Sequence, residues 1–349
     1  MEVWCHQLSR FLGKKVVLHV VQAMIIMQLD FALTNARAPF GYLHSLVGLL
    51  PPLATVLYWL GLRNKPTEEE QDPVVIVIKR GILCMQRHQY NQSEQLFHMA
   101  LIMAQERADQ RAETYIFDQM ANLAYQQGQL DKAFTLFTTV VGRMIAQGLQ
   151  DNDNPIIEMS VKLANILSQQ KQDDKALVGY NHCLKAQLAK TEGLEPSEEL
   201  EPKAKDDYLL LAMTYSSYGK HLLNRFKYQL AQEQLEKALE ITEKICGLEH
   251  PQTLVLMNDL GTTMALQKNF EKAQQYIAKA IEVGDKMRIP ETASFRCNLG
   301  MFLLMDNKPE EAIKLCRQSL KMANKLKDLE TKQEAQHCLD QINLNRRNK

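Results

Sequence analysis

Helix-breaking residues are scarce in this chain: 15 glycines and 11 prolines are spread over 349 residues. Long stretches are built from Ala, Leu, Gln, Glu, Lys and Met, which favour helix, and β-branched runs are confined to a few places near the N-terminus. This points to a mostly α protein. An excess of charge is also missing. With 41 Lys+Arg against 41 Asp+Glu, no global field draws the chain to nucleic acid or to an anionic membrane. The seven cysteines include no C-x-x-C pair, and their odd number argues against a disulfide framework and a zinc module. Most of them fall at apolar-periodic positions, where a thiol packs as a small hydrophobe. The nine histidines show no H-E-x-x-H spacing, and G-x-S-x-G, P-loop and G-x-G-x-x-G motifs are absent. His182 and Cys183 are adjacent, but neighbours on a helix point in different directions, so they read as packing. The expectation is no enzyme, no metal, no cofactor, no nucleic acid and no small-molecule substrate.

The N-terminal part differs in character. Tyr42 to Leu62 carry no formal charge. At about 1.5 Å per residue such a helix matches a hydrocarbon core of about 30 Å. Tyr58 and Trp59 stand near one end, where aromatic belts form, and Arg63 and Lys65 follow at once. Pro51-Pro52 would kink this helix, which membrane helices tolerate better than soluble ones. Residues 41–62 are therefore expected to span a membrane. Upstream, Arg10, Lys14, Lys15 and Arg37 face only Glu2 and Asp30, so residues 1–40 read as an organelle-targeting region. Residues 63–73 form an acidic linker, with Pro66 as a stop.

From residue 74 one pattern recurs. A small residue, then a large one four positions on and a small one after three more, appears as Ser93/Phe97/Ala100, Ala133/Phe137/Val140, Ala176/Tyr180/Cys183, Ala231/Leu235/Ala238, Ala273/Ile277/Ala280 and Ala312/Cys316/Ser319. Twelve residues before each first member stands another small residue: Gly81, Ala121, Ala164, Gly219, Gly261 and Gly300. Two antiparallel helices approach closely only where small side chains meet, and the large residue fills the gap toward the next pair. Such a pair cannot bury its face alone, so several must stack. The spacing resembles the tetratricopeptide repeat, and it predicts an all-α helical solenoid of six helix pairs over 74–327. Successive repeats lie 39 to 43 residues apart, except between the third and fourth. There the extra residues 191–207, mainly acidic and holding Gly193, Pro196 and Pro202, read as an inserted loop. Residues 328–349 read as a capping helix with an apolar side of Ala335, Cys338, Leu339, Ile342 and Leu344.

In this family the first helix of each pair lines a groove. The groove positions are Asp118, Asn122, Tyr125 and Gln126 in the second repeat and Asn165, Ser168 and Gln169 in the third, with Val161 beside them. Later repeats add Ser216, Lys220 and Asn224, then Asn258 and Thr262. An amide offers one acceptor and two donors, so Asn122 and Asn165 at equivalent positions suit the backbone of an extended peptide. Position five holds Ile78, Asp118 and Val161 where a lysine would clamp a terminal carboxylate, which makes a chaperone tail a poor partner.

Three stretches carry a closer resemblance: YIFDQMANLAYQQGQLDKA from Tyr115, DNPIIEMSVKLANILSQQKQDDKALVGYNHCL from Asp153, and HPQTLVLMNDLGTTMA from His250. Together with the order of hydrophobic segment, acidic linker and repeats, they resemble a mitochondrial branch of the tetratricopeptide-repeat family. The resemblance implies an inner-membrane protein that binds respiratory complex III and promotes clearance of Rieske iron–sulfur protein fragments. It implies no catalytic residue. The wide repeat spacing and Gly247-Leu248-Glu249-His250-Pro251 also resemble kinesin light chain, whose alternative implication is a soluble cargo or motor adaptor.

Overall fold

The computed structural model describes residues 72–326 and 328–347, and among these all regular structure is helical. Two compact units divide the chain, one ending at Leu149 and the other beginning at Gln150. The first contains α1 (Pro73–Gln86), α2 (Tyr90–Glu106), α3 (Gln110–Gln126) and α4 (Leu130–Ala146). The second opens with α5 (Asn154–Gln169), α6 (Asp173–Thr191), α7 (Pro202–Asn224) and α8 (Tyr228–Cys246). It continues with α9 (Pro251–Leu266), α10 (Phe270–Met287), α11 (Thr292–Met305), α12 (Pro309–Leu326) and α13 (Leu329–Arg347). Odd-numbered helices from α1 to α11 are the first members of helix pairs, and α13 packs on the last pair. The expected targeting region and hydrophobic segment lie outside the described residues. Among the described ones, no helix is long and apolar enough to cross a membrane.

Helix starts and stops follow local chemistry. Asp72 caps α1: its Oδ1 accepts from the Val74 amide at 2.9 Å and from Arg107 Nη1 at 2.6 Å. The Val74 amide first, and Arg107 after it, hold its carboxyl below the ordinary 3.8. His250 caps α9 with Nδ1 accepting from the Gln252 amide at 3.2 Å, and Pro251 occupies the first helical turn. Inside every pair, the turn contains one left-handed residue: His88, Gly128, Lys171, Phe226, Lys268 or Asn307. At Gly128 the closing bonds are Gly128 N to Tyr125 O, 3.0 Å, and Gln129 N to Ala124 O, 2.9 Å. Lys268 and Asn269 repeat them at 2.9 Å each. Only glycine takes this conformation without a Cβ penalty, so each β-carbon there costs about 1 kcal/mol.

The pairs are held by close approach at the small positions. A Cβ built on Gly81 would stand 2.6 Å from Phe97 Cε1, and one on Gly219 would stand 2.9 Å from Leu235 Cγ. For Gly261 the distance is 2.5 Å to Ile277 Cγ1, and for Gly300 it is 2.5 Å to Cys316 Sγ. Ala121, Ala133, Ala164, Ala176, Ala231, Ala273 and Ala312 are buried, as are Phe97, Phe137, Tyr180, Leu235 and Ile277. Ser93 replaces alanine in the first pair, and its buried hydroxyl is satisfied by donating to the Gly81 carbonyl at 2.8 Å. Ser319 does the same toward Ala293 O at 2.7 Å.

Three features differ from the sequence reading. Cys316 and Cys338, both fully buried, are joined in a disulfide between α12 and α13, where free packing thiols were expected. The inserted stretch is only partly loop, because Pro202 to Asp207 form the first turns of α7, with Pro202 at the helix start where its missing N–H is harmless. On α13, Ala335, Cys338 and Ile342 are buried, whereas Leu344 is 49% exposed because it lies past the last residues that the preceding pair covers.

Two outcomes follow for stability. Gly261→Leu drives a side chain into Ile277 and the Ala273 carbonyl, and is expected to cost about 3 kcal/mol, seen as a lower thermal midpoint by circular dichroism. A midpoint equal to wild type would contradict this crossing point. Lys268→Gly removes the left-handed penalty at an exposed turn and should raise stability by roughly 0.5 kcal/mol in urea unfolding.

Candidate functional site

The residues expected to line a binding face lie on the first helix of successive pairs. On α3, Asn122 is fully buried, and neither atom of its amide has a hydrogen-bond partner among the described residues. Tyr125 is buried beside it, and Gln126 is half-buried with its Oε1 unbonded. Asp118 accepts from Gln119 Nε2 at 3.2 Å. This cluster belongs to the first unit.

In the second unit the corresponding face is stitched together by polar side chains. Asn165 on α5 accepts from the Tyr180 hydroxyl at 2.7 Å, and its amide nitrogen reaches Ser217 Oγ of α7 at 3.5 Å. Ser168 is buried and bonds His221 Nδ1 at 2.7 Å, while Arg225 Nη2 donates to the Ser168 carbonyl at 3.0 Å. Arg225 also pairs with Asp173. Lys220 on α7 meets Asp259 on α9 at 3.0 Å. Asn258 on α9 accepts from Asn298 Nδ2 on α11 at 3.0 Å, and Thr262 donates to the Asn258 carbonyl at 2.8 Å. Gln169 and Asn224 are exposed. Val161 and Ser216 are buried, Val161 within an apolar cluster with Ile157, Cys183 and Leu210.

Amides read from the sequence as peptide ligands thus spend much of their capacity on the neighbouring repeat. Ser217, His221, Asp259 and Asn298 complete these contacts, and the sequence reading missed all four. They stand one repeat away from their partners, so only the repeat register combined with side-chain length could have found them. The aromatic packing around Tyr180 on α6 joins α6 to α7, with Tyr218 stacked at 5.4 Å and the His221 ring at 5.5 Å.

Burial pushes His221 below its ordinary 6.5, more than nearby Asp173 raises it, while Arg225 and Lys227 lower it further. The unfolded chain therefore binds the proton more readily, and stability present above pH 6.5 is lost as pH falls through the lowered value. The thermal midpoint is expected to fall between about pH 7.5 and about pH 5.5, and His221→Gln should flatten that slope.

Tetratricopeptide-repeat family models match residues 210–286 and 292–326. Tetratricopeptide repeat protein 19, mitochondrial, of Rattus norvegicus is 32% identical over 291 residues, spanning 82% of this chain and 80% of that protein. Its Homo sapiens counterpart is 33% identical over 301 residues, spanning 80% of this chain and 79% of that protein. Among solved structures, BtubC from P. vanneervenii superposes with a TM-score of 0.51 at 17% identity, covering 74% of this chain and 93% of its own. The apo form of the quorum sensor NprR from B. thuringiensis does so at 0.52 and 15% identity, covering 98% and 97%. Both share the helical-repeat fold. With a third of its residues shared along four-fifths of both chains, this chain belongs to the mitochondrial tetratricopeptide repeat protein 19 family.

Proposed function

We propose that this chain is a non-enzymatic binding factor, tethered to the mitochondrial inner membrane, that binds respiratory complex III. In this role it supports the complex by promoting clearance of Rieske iron–sulfur protein fragments. Family membership supports the mitochondrial setting, since the curated relatives carry that word in their names. The repeat fold supports protein binding. Complex III and Rieske fragments as partners rest on the resemblance in the three stretches beginning at Tyr115, Asp153 and His250. An anchor among residues 41–62 would raise the local concentration of the repeats at the membrane, so that each contact can be weak.

The observation that carries this reading is the amide of Asn122. A buried amide without partners costs about 1–3 kcal/mol per unsatisfied group, and a fold retains such a cost where another gain offsets it. The backbone of an extended segment supplies the missing donor and acceptor together. Because Asn122 is enclosed, the segment must displace what covers it, which couples binding to a local rearrangement. Asp118, Tyr125 and Gln126 stand one turn away on the same helix and complete the contact.

Affinity purification of the full chain from mitochondria, followed by mass spectrometry, tests the reading. Complex III subunits should be recovered with wild type. Asn122→Ala should recover them severalfold less while its thermal midpoint stays within a few degrees, since no internal hydrogen bond is lost. Failure of wild type to recover any complex III subunit would sink the assignment.

A further inference from the structure

Where the repeats are interrupted, the end of α6, the inserted loop, α7 and α8 line an open cavity of about 580 Å³. The loop is held over it by Tyr208, whose hydroxyl donates to the carbonyls of Leu194 at 2.6 Å and Thr191 at 3.3 Å. The inner wall is apolar, with Leu211 and Ile241 buried there. Leu188 and Leu194 also line the cavity but are 47% and 42% exposed, so apolar surface continues to the mouth.

Two further observations point to an occupant. Tyr215 lines the cavity with only 8% of its surface exposed, and its hydroxyl makes no hydrogen bond among the described residues. The hydroxyl keeps access to the open side of the cavity, so its donor and acceptor are available to a bound group. The charge of the lining is also one-sided: Glu192, Glu195 and Glu240 against Lys237 alone, a net of −2. Lys237 Nζ lies 5.4 Å from the Tyr215 ring centroid, and Glu240 is engaged by Lys244 at 2.8 Å. Glu192 and Glu195 form no ion pair among the described residues.

We propose that this cavity binds a basic, apolar-flanked peptide segment of a protein partner. One arginine or lysine of the segment enters beside Glu192 and Glu195 and donates to the Tyr215 hydroxyl. A neighbouring apolar side chain covers Leu188 and Leu194. The assignment rests on the reading of this chain as a protein-binding factor, and adds a second contact, away from Asn122, with its own chemical preference. Complementary charge supplies the selectivity and the association rate, while the leucines supply burial.

The test is fluorescence anisotropy of the full chain with a short labelled peptide of alternating leucine and arginine, beside one in which glutamate replaces arginine. The arginine peptide should bind, and the glutamate peptide should not. Glu192→Lys with Glu195→Lys should weaken binding by about tenfold or more, and added salt should weaken it in wild type. Tyr215→Phe should weaken it severalfold with an unchanged circular dichroism spectrum. Glu198→Lys with Glu199→Lys, on the same loop but outside the lining, should bind as wild type does. Equal affinity for both peptides, or no response to Glu192→Lys with Glu195→Lys, would overturn the assignment. Recovery of complex III by a chain that ignores the arginine peptide overturns this cavity's role alone. Peptide capture without complex III recovery supports the cavity and removes only the partner's identity.

Discussion

Each helix pair depends on a single constraint: two backbones must come close enough that a glycine or alanine on the first helix meets the large residue of the second. Where the small residue is glycine, even a methyl group would stand 2.5 to 2.9 Å from its neighbour. Real β-carbons do not sit there, so the crossing point and the residue type determine each other. Packing at this density leaves little room to slide, and it sets which face of each first helix looks away from its pair. The face proposed to bind a partner is a consequence of the crossing.

Polar side chains on that face differ in use between the two units. In the second unit, hydroxyls, amides and charges bridge successive first helices, as at Ser168–His221, Lys220–Asp259 and Asn258–Asn298. Each bridge contributes modestly, since folding exchanges water for protein partners. Together they tie repeats to one another beyond the apolar contact. In the first unit, the amide of Asn122 lacks such a bridge among the described residues. A polar group left unpaired inside a protein is expensive, and that expense is the physical basis for placing a partner's contact there.

The insertion between the third and fourth pairs interrupts the regular repeat spacing, and an open hollow lies beside it. Its far end is absorbed into α7, which runs 23 residues and presents Tyr208 and Tyr215 on one side. The other irregular end is the capping helix, which buries Ala335, Cys338 and Ile342 and is fastened to α12 by Cys316–Cys338. Both departures lie where a plain repeat would leave surface uncovered.

Helical class, pair number, register and the place of the insertion could all be read from residue order, because the small–large–small spacing is a local pattern and helix geometry converts it directly into contact. The placement of Asp118, Asn122 and Asn165 on the first helices was legible for the same reason, because it follows from the register alone. What those side chains do was decided only by the tertiary structure. Whether an asparagine is free or engaged depends on atoms one repeat away, such as Ser217 or Asn298, whose reach is set by how far neighbouring helices are rotated. The disulfide between Cys316 and Cys338 and the cavity beneath the insertion belong to the same class. Both join residues whose separation along the chain carries no period, so only the folded arrangement could bring them together.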